Sequence, residues 1–125
     1  MAKITKDDYI CILSGASMPP CSYWCTDWNY DKEEYKKAKE TLESKGNKNL
    51  CFEDIVFHIL ENGGTIKLYD EEEETTHNLT YEKLEKGITE YLKSGYASSQ
   101  SIEDWDGVDY DSAIQFAIFN DIIYG

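Results

Sequence analysis

Residues 52–79 read FEDIVFHILENGGTIKLYDEEEETTHNL, and this stretch contains the signals of a helix followed by a hairpin. Hydrophobic residues at positions 52, 55, 56, 59 and 60 follow the spacing of one helix face, and Gly63 and Gly64 are typical of a helix end. The runs at 65–69 and 75–79 are β-branched or alternating, and they flank an acidic connection at 70–74. Because such a hairpin is not stable alone, helices must pack on one of its faces.

Capping signals on both sides of this stretch predict three more helices. Thr and Asp side chains accept hydrogen bonds from the first backbone N–H groups of a helix, and glycine is favoured just beyond the last turn. The aromatic stretch at 21–30 favours a strand. The three capped helices are expected from Thr5 to before Gly15, from Asp31 with Glu34 to Gly46 or Asn47, and from Thr80 to Gly95.

The last helix is expected to follow a loop at 96–107 and to run from Asp109 or Asp111 to Ile123. Its hydrophobic residues cover most of the helix circumference, which is normal for a helix that is central or shared with a partner. A chain of 125 residues is short for more than one domain. We therefore expect a single α+β domain over residues 1–125, with about five helices around a small antiparallel sheet that contains a hairpin near 65–79.

The charge of the chain is strongly negative and unevenly distributed. All 12 positive residues are Lys, and with 25 acids the formal charge is −13. Residues 1–50 contain eight Lys and eight acids, whereas residues 51–125 contain four Lys and seventeen acids. Without Arg the chain has no bidentate guanidinium for phosphate. Nucleic acid is therefore not expected as a direct ligand.

Two acidic segments, 70–74 and 103–111, are expected on the surface. A globule of this length is ~35 Å across, and duplex DNA over that length carries ~20 phosphate charges, so ten carboxylates on one face have a comparable density. Trp105 lies between acids and is expected as an exposed anchor. The alternative is that these runs only solubilise the domain. The predicted partner-binding residues are Asp70, Glu71, Glu72, Glu73, Glu74, Glu103, Asp104, Trp105, Asp106, Asp109 and Asp111.

Other motifs give little indication of chemistry. Cys21 and Cys25, with Cys51 and His58 or His77, do not match a common zinc-finger spacing, so buried or loop thiols are expected. The acids at 104–111 lack the glycine and glutamate positions of a calcium loop. The chain contains no nucleophile elbow and no glycine-rich phosphate loop. We expect a non-enzymatic protein without catalytic residues, cofactor or metal.

The N-terminal region contains Asp7 and Asp8 and has no hydrophobic run of signal-peptide length. No segment approaches the ~20 apolar residues that a membrane-spanning helix needs. We therefore expect a cytoplasmic protein that has no contact with a membrane.

Several segments resemble a group of short acidic proteins from phages and mobile elements of gut Firmicutes. They are LTYEKLEKGITEYL at 79–92, AIQFAIFNDIIYG at 113–125, SGAS at 14–17, and Tyr23 with Trp24. The resemblance implies a phage context, in which small acidic proteins antagonise host defence, including CRISPR effectors and restriction enzymes. We therefore expect an anti-CRISPR-like or anti-restriction inhibitor that binds a basic host nuclease in the host cytoplasm by mimicking nucleic acid. The alternative is a homo-oligomeric small-ligand-binding or accessory module that shares its C-terminal helix.

Overall fold

The structure is a computed structural model that describes residues 3–17 and 24–124. These residues form five α-helices, one 3₁₀ turn and a three-stranded antiparallel sheet, which confirms the expected α+β class. The strands lie in the order β1-β2-β3. The elements are α1 (Lys6–Ser17), β1 (Cys25–Asn29), α2 (Lys32–Ser44), α3 (Phe52–Glu61), β2 (Ile66–Asp70), β3 (Thr75–Leu79), α4 (Tyr81–Ser94), the 3₁₀ turn Ile102–Asp104 and α5 (Gly107–Phe119).

The predicted hairpin is confirmed as β2 and β3. Ile66 pairs with Leu79, and Asp70 pairs with Thr75 just before the four-residue turn. Alternate residues of β2 point into the core, because Ile66 and Leu68 are fully buried while Lys67 is exposed. The other edge of β2 pairs with β1. Of the strand expected at 21–30, residues 25–29 are confirmed, and residues 21–23 lie outside the described part of the chain.

Helix α1 begins as expected but does not end at Gly15. The Thr5 side chain accepts from the backbone N–H of Asp8 at 3.1 Å, and the Asp8 side chain accepts from the N–H of Thr5 at 2.9 Å. The helix continues to Ser17. A Cβ atom at Gly15 would lie 2.1 Å from Cδ2 of Tyr110. Gly15 therefore allows α1 to approach α5 closely, and the prediction that it stops the helix is wrong.

Caps confirm the other predicted helix starts. The Asp31 side chain accepts from the backbone N–H of Glu34 at 2.9 Å, and Thr80 accepts from the N–H of Lys83 at 3.3 Å. Gly95 follows α4 in the left-handed conformation that glycine adopts without strain.

Helix α5 begins two residues before the earlier of its two predicted starts, Asp109, and its predicted end at Ile123 is wrong. The helix begins at Gly107 because the Asp106 side chain accepts from the N–H groups of Val108 and Asp109, and the Asp109 side chain accepts in return from the N–H of Asp106. It ends at Phe119 because Asn120 adopts a left-handed conformation with φ of 61°. The tail then folds back, so that the N–H groups of Ile123 and Tyr124 donate to the Gln115 side chain.

Helix α5 is the centre of the fold. It packs against α1, α4 and β3, and residues 111–117 are all buried. At the crossing with α4, a Cβ atom on Gly87 would lie 2.5 Å from the backbone of Ala117. Most hydrophobic residues of α5 are therefore buried by contacts within one copy of the chain. The alternative that a second copy of the chain shares this helix stays a prediction.

Candidate functional site

The turn between β2 and β3 presents four consecutive carboxylates to solvent. Glu71, Glu72, Glu73 and Glu74 are all exposed. Their backbone is held in place, since the N–H of Glu71 donates to the carbonyl of Trp24 at 2.9 Å. The N–H groups of Glu72 and Glu73 donate to the Asp70 carboxylate at 3.0 and 3.2 Å. The turn thus displays its carboxylates from a hydrogen-bonded scaffold.

Asp70 supports this turn from inside and is not on the surface. Its side chain is fully buried, and its carboxylate accepts from the Tyr124 hydroxyl at 2.8 Å. The Nε2 atom of His77 lies 3.5 Å from the same carboxylate. The expectation that Asp70 is exposed for partner binding is therefore wrong, because its oxygens are occupied by groups of the same chain.

Tyr124 remains a hydrogen-bond donor to Asp70. Desolvation by burial raises the pKa of the Tyr124 hydroxyl, and so do the hydrogen bond to Asp70 and the negative charges of Asp70, Glu73 and Glu72. The neutral phenol therefore fixes the tail to the base of the acidic turn.

The second acidic segment is only partly exposed. Glu103, Asp104 and Asp106 are exposed, but Trp105 is buried. The Trp105 ring packs edge-on against Tyr91 with centroids 5.3 Å apart, and its Nε1 donates to the carbonyl of Ser99 at 2.9 Å. The expectation that Trp105 is an exposed anchor is wrong, because it packs in the core.

Asp109 is buried and organises the loop before α5. It accepts from the Tyr91 hydroxyl at 2.6 Å, from the N–H of Ser98 at 3.0 Å and from the N–H of Asp106 at 3.1 Å, as well as from the Ser98 hydroxyl. Burial raises its pKa, but the hydrogen bonds from Ser98, Tyr91 and Asp106 together lower it below the ordinary value. Its predicted exposure is wrong for this reason.

Asp111 is also buried, so its predicted exposure is wrong too. Its carboxylate accepts from Nε1 of Trp24 at 2.7 Å and from Nε2 of Gln115 at 2.8 Å. The Gln115 amide also holds the tail, since its oxygen accepts from the N–H groups of Ile123 and Tyr124 at 2.9 and 2.8 Å. Asp111 is thus part of a polar network that attaches β1 and the tail to α5.

The predicted site therefore reduces to seven exposed carboxylates, which we call the acidic surface: Glu71, Glu72, Glu73, Glu74, Glu103, Asp104 and Asp106. Its two segments are anchored to different parts of the fold. Asp106 is the N-cap of α5, whereas the hairpin turn is linked through Asp70 to the tail that follows α5.

The cysteines do not form a metal site within residues 3–17 and 24–124. No group of three or more His, Cys, Asp or Glu side chains there is arranged to hold a metal ion. Cys51 is exposed and Cys25 is buried, while Cys21 lies outside the described residues. Burial and the charges of Asp111 and Asp70 raise the pKa of the Cys25 thiol to about 12, so this thiol is neutral at pH 7.

Two cavities outside the acidic surface were not foreseen from the sequence. One, of about 360 Å³, lies between α2 and α3 and is lined by Lys37, Lys45 and His58 among others. Another, of about 310 Å³, lies between α1 and α4 and is lined by Tyr9, Tyr81, Glu85 and their neighbours. Tyr81, Glu85 and Thr89 share one face of α4, but residues four apart do so in every helix, so the sequence has no signal that indicates the second cavity.

Comparison with protein-family models, with curated proteins and with solved structures finds no match to this chain. Among the described helices, none combines the length and the hydrophobicity needed to cross a lipid bilayer.

Proposed function

We propose that the protein is a non-enzymatic inhibitor whose acidic surface binds a basic, nucleic-acid-binding cleft of another protein. The phage context implied by the sequence resemblance makes a host CRISPR effector or restriction nuclease the expected partner. The observation that carries this proposal is the exposure of seven carboxylates in two segments of a region, 51–125, that has four Lys and seventeen acids.

Three of the ten expected acids are buried, so the exposed carboxylates match a shorter length of DNA than the sequence predicted. Duplex DNA carries one charge per ~1.7 Å of helix axis, so seven carboxylates correspond to ~12 Å of duplex. The acidic surface therefore corresponds to a shorter length of duplex than the ten expected acids would.

The two segments also favour a fast, salt-sensitive association. Exposed charges of one sign steer a partner of the opposite sign, and this attraction weakens as ionic strength rises. The hydrogen bonds that fix the hairpin turn lower the entropy cost of placing its carboxylates against a basic cleft.

Displacement of labelled duplex DNA from catalytically inactive nucleases at low salt tests the proposal. The panel should contain a guide-loaded CRISPR effector and a restriction endonuclease. We expect the native protein to displace DNA from at least one of them. Changing Glu71, Glu72, Glu73 and Glu74 together to Gln should weaken displacement by at least about tenfold, because each exposed ion pair contributes ~0.3–1 kcal/mol.

The matched control changes four exposed glutamates elsewhere to Gln, namely Glu33, Glu40, Glu43 and Glu61. This variant has the same net charge as the turn variant but an intact acidic surface. We expect it to lose less than about threefold of the native affinity. Equal losses in the two variants, or no displacement from any nuclease, would contradict the proposed function.

A further inference from the structure

The cavity between α1 and α4 combines aromatic rings with a carboxylate. Tyr9 is 3% exposed, and its ring centroid lies 5.4 Å from that of Tyr81 and 5.4 Å from that of Phe57. Ile4 and Leu92 add hydrophobic lining. Its volume of about 310 Å³ is at the lower end of the range for small-molecule cavities.

Glu85 gives this cavity a negative group next to the rings. Its carboxylate accepts from the Tyr9 hydroxyl at 3.4 Å. Within residues 3–17 and 24–124, no Lys or His nitrogen lies within ion-pair distance of Glu85. The exposed Glu85 carboxylate therefore lines the cavity without an ion-pair partner among these residues, although Lys3 lines the same cavity.

The Tyr9 hydroxyl stays protonated in this setting. Burial raises its pKa, as do the Tyr81 hydroxyl and the charge of Glu85. The ring faces of the cavity are negative and the Glu85 carboxylate adds a full negative charge, so the cavity attracts cations, and Lys3 supplies the one opposing charge among the described residues that line it. The net charge of −13 acts in the same direction.

We propose that this cavity binds an organic cation with a short hydrophobic stem, of the alkylammonium or alkylguanidinium class. The stem packs against Ile4 and Leu92, and the charged head lies between the Tyr81 ring and the Glu85 carboxylate. A free amine or the Lys or Arg side chain of a protein partner supplies the same chemistry. This inference does not depend on the acidic surface or on the proposed function.

Titration with n-butylguanidinium, followed by NMR of the backbone amides of Ile4, Glu85 and Thr89, tests this proposal. We expect saturable shifts at these amides and none with the neutral isostere n-butylurea. Glu85→Gln should weaken binding about fivefold by removing the charge while keeping the shape. Glu82→Gln, an equal change at an exposed position of α4 that does not line the cavity, should leave the affinity unchanged.

A change at Lys3 distinguishes the binding of a cation from the binding of an anion. It lines the same cavity, so its ammonium competes with a bound cation. Lys3→Met should strengthen binding of n-butylguanidinium about twofold, whereas it would weaken binding of an anion. Equal binding of n-butylurea, or equal losses in Glu82→Gln and Glu85→Gln, would overturn the proposal.

A second titration distinguishes a free small cation from the side chain of a protein partner. A Gly-Ser peptide with one central Arg presents the same guanidinium on a polypeptide. Tighter binding of the peptide supports a partner's side chain, and tighter binding of n-butylguanidinium supports a free small cation. Either ranking upholds a cation site, provided that both affinities fall in Glu85→Gln.

Discussion

At the scale of single residues, the structure separates acids that look alike in the sequence. Asp109 and Asp104 belong to the same acidic segment, yet Asp109 is 2% exposed and Asp104 is on the surface. The three-residue spacing of Asp106 and Asp109 is a capping-box signal that could have identified Asp109. Its donors on Tyr91 and Ser98 lie in α4 and in the loop after α4, so counting nearby charges could not reveal that Asp109 is buried.

Asp109→Asn should destabilise the protein by about 1–3 kcal/mol. The amide supplies one acceptor oxygen where the carboxylate has two, and its NH₂ group faces donors that then lose their acceptor. Urea denaturation measures the change in the free energy of unfolding. Asp104→Asn makes the same chemical change at an exposed position and should alter stability by less than about 0.5 kcal/mol. Equal effects in the two variants would show that the Asp109 hydrogen bonds do not stabilise the fold.

The ionisation of Asp109 should contribute to the pH dependence of the free energy of unfolding. Its pKa in the folded protein is lowered from the ordinary value of 3.8, so the folded state favours the ionised form. The resulting stabilisation is present above the unfolded pKa and is lost as pH falls through the folded pKa. The difference in unfolding free energy between the native protein and Asp109→Asn should therefore be constant above about pH 5 and should shrink below about pH 4. A difference that grows toward acid would contradict the lowered pKa.

At the scale of elements, the sequence predicted those helices and strands that are determined by residues a few positions apart. The caps at Asp31 and Thr80 and the alternation in β2 depend on residues a few positions apart, and their elements were predicted. The close packing at Gly15, inside a helix that continues to Ser17, is against Tyr110, which is remote in sequence. The fold-back of the tail after α5 likewise depends on Gln115, which accepts from N–H groups eight and nine residues further along the chain. Such contacts are tertiary and leave no periodic trace in one sequence.

Gly87→Ala tests the tight crossing of α4 and α5. In a solvent-exposed helix interior this change stabilises by up to about 1 kcal/mol. Here the added Cβ atom meets the backbone of Ala117 at 2.5 Å, so the helices must move apart. We expect a loss of about 1–3 kcal/mol in the free energy of unfolding. Lys86→Ala, at the neighbouring exposed position, should change it by less than about 0.5 kcal/mol. A stabilised Gly87→Ala variant would mean that the crossing is looser than described.

At the scale of the whole molecule, the seventeen acids of residues 51–125 make charge repulsion a general feature of the fold. The Debye length falls from about 30 Å at 0.01 M salt to about 10 Å at 0.1 M. Because the globule is ~35 Å across, charges on most of its surface repel one another at the lower salt and few do so at the higher.

We therefore expect the melting temperature to rise when NaCl is raised from about 0.01 to 0.1 M. The rise should be smaller in the variant with Gln at 71–74, because four adjacent charges repel more strongly than four scattered ones. The control variant with Gln at 33, 40, 43 and 61 should retain more of the rise. Scanning calorimetry measures both differences. A melting temperature that falls with salt would show that attractive ion pairs dominate.

The attachment of Tyr124 to Asp70 has a practical consequence for work with this protein. A protease that trims the last few residues would remove the hydroxyl that faces a fully buried carboxylate. The buried Asp70 carboxyl group would then have fewer hydrogen-bond donors, and the turn that contains Glu71 to Glu74 would be held less firmly. Intact mass spectrometry of each preparation should therefore precede affinity measurements, since a clipped fraction would mimic the phenotype of a turn variant.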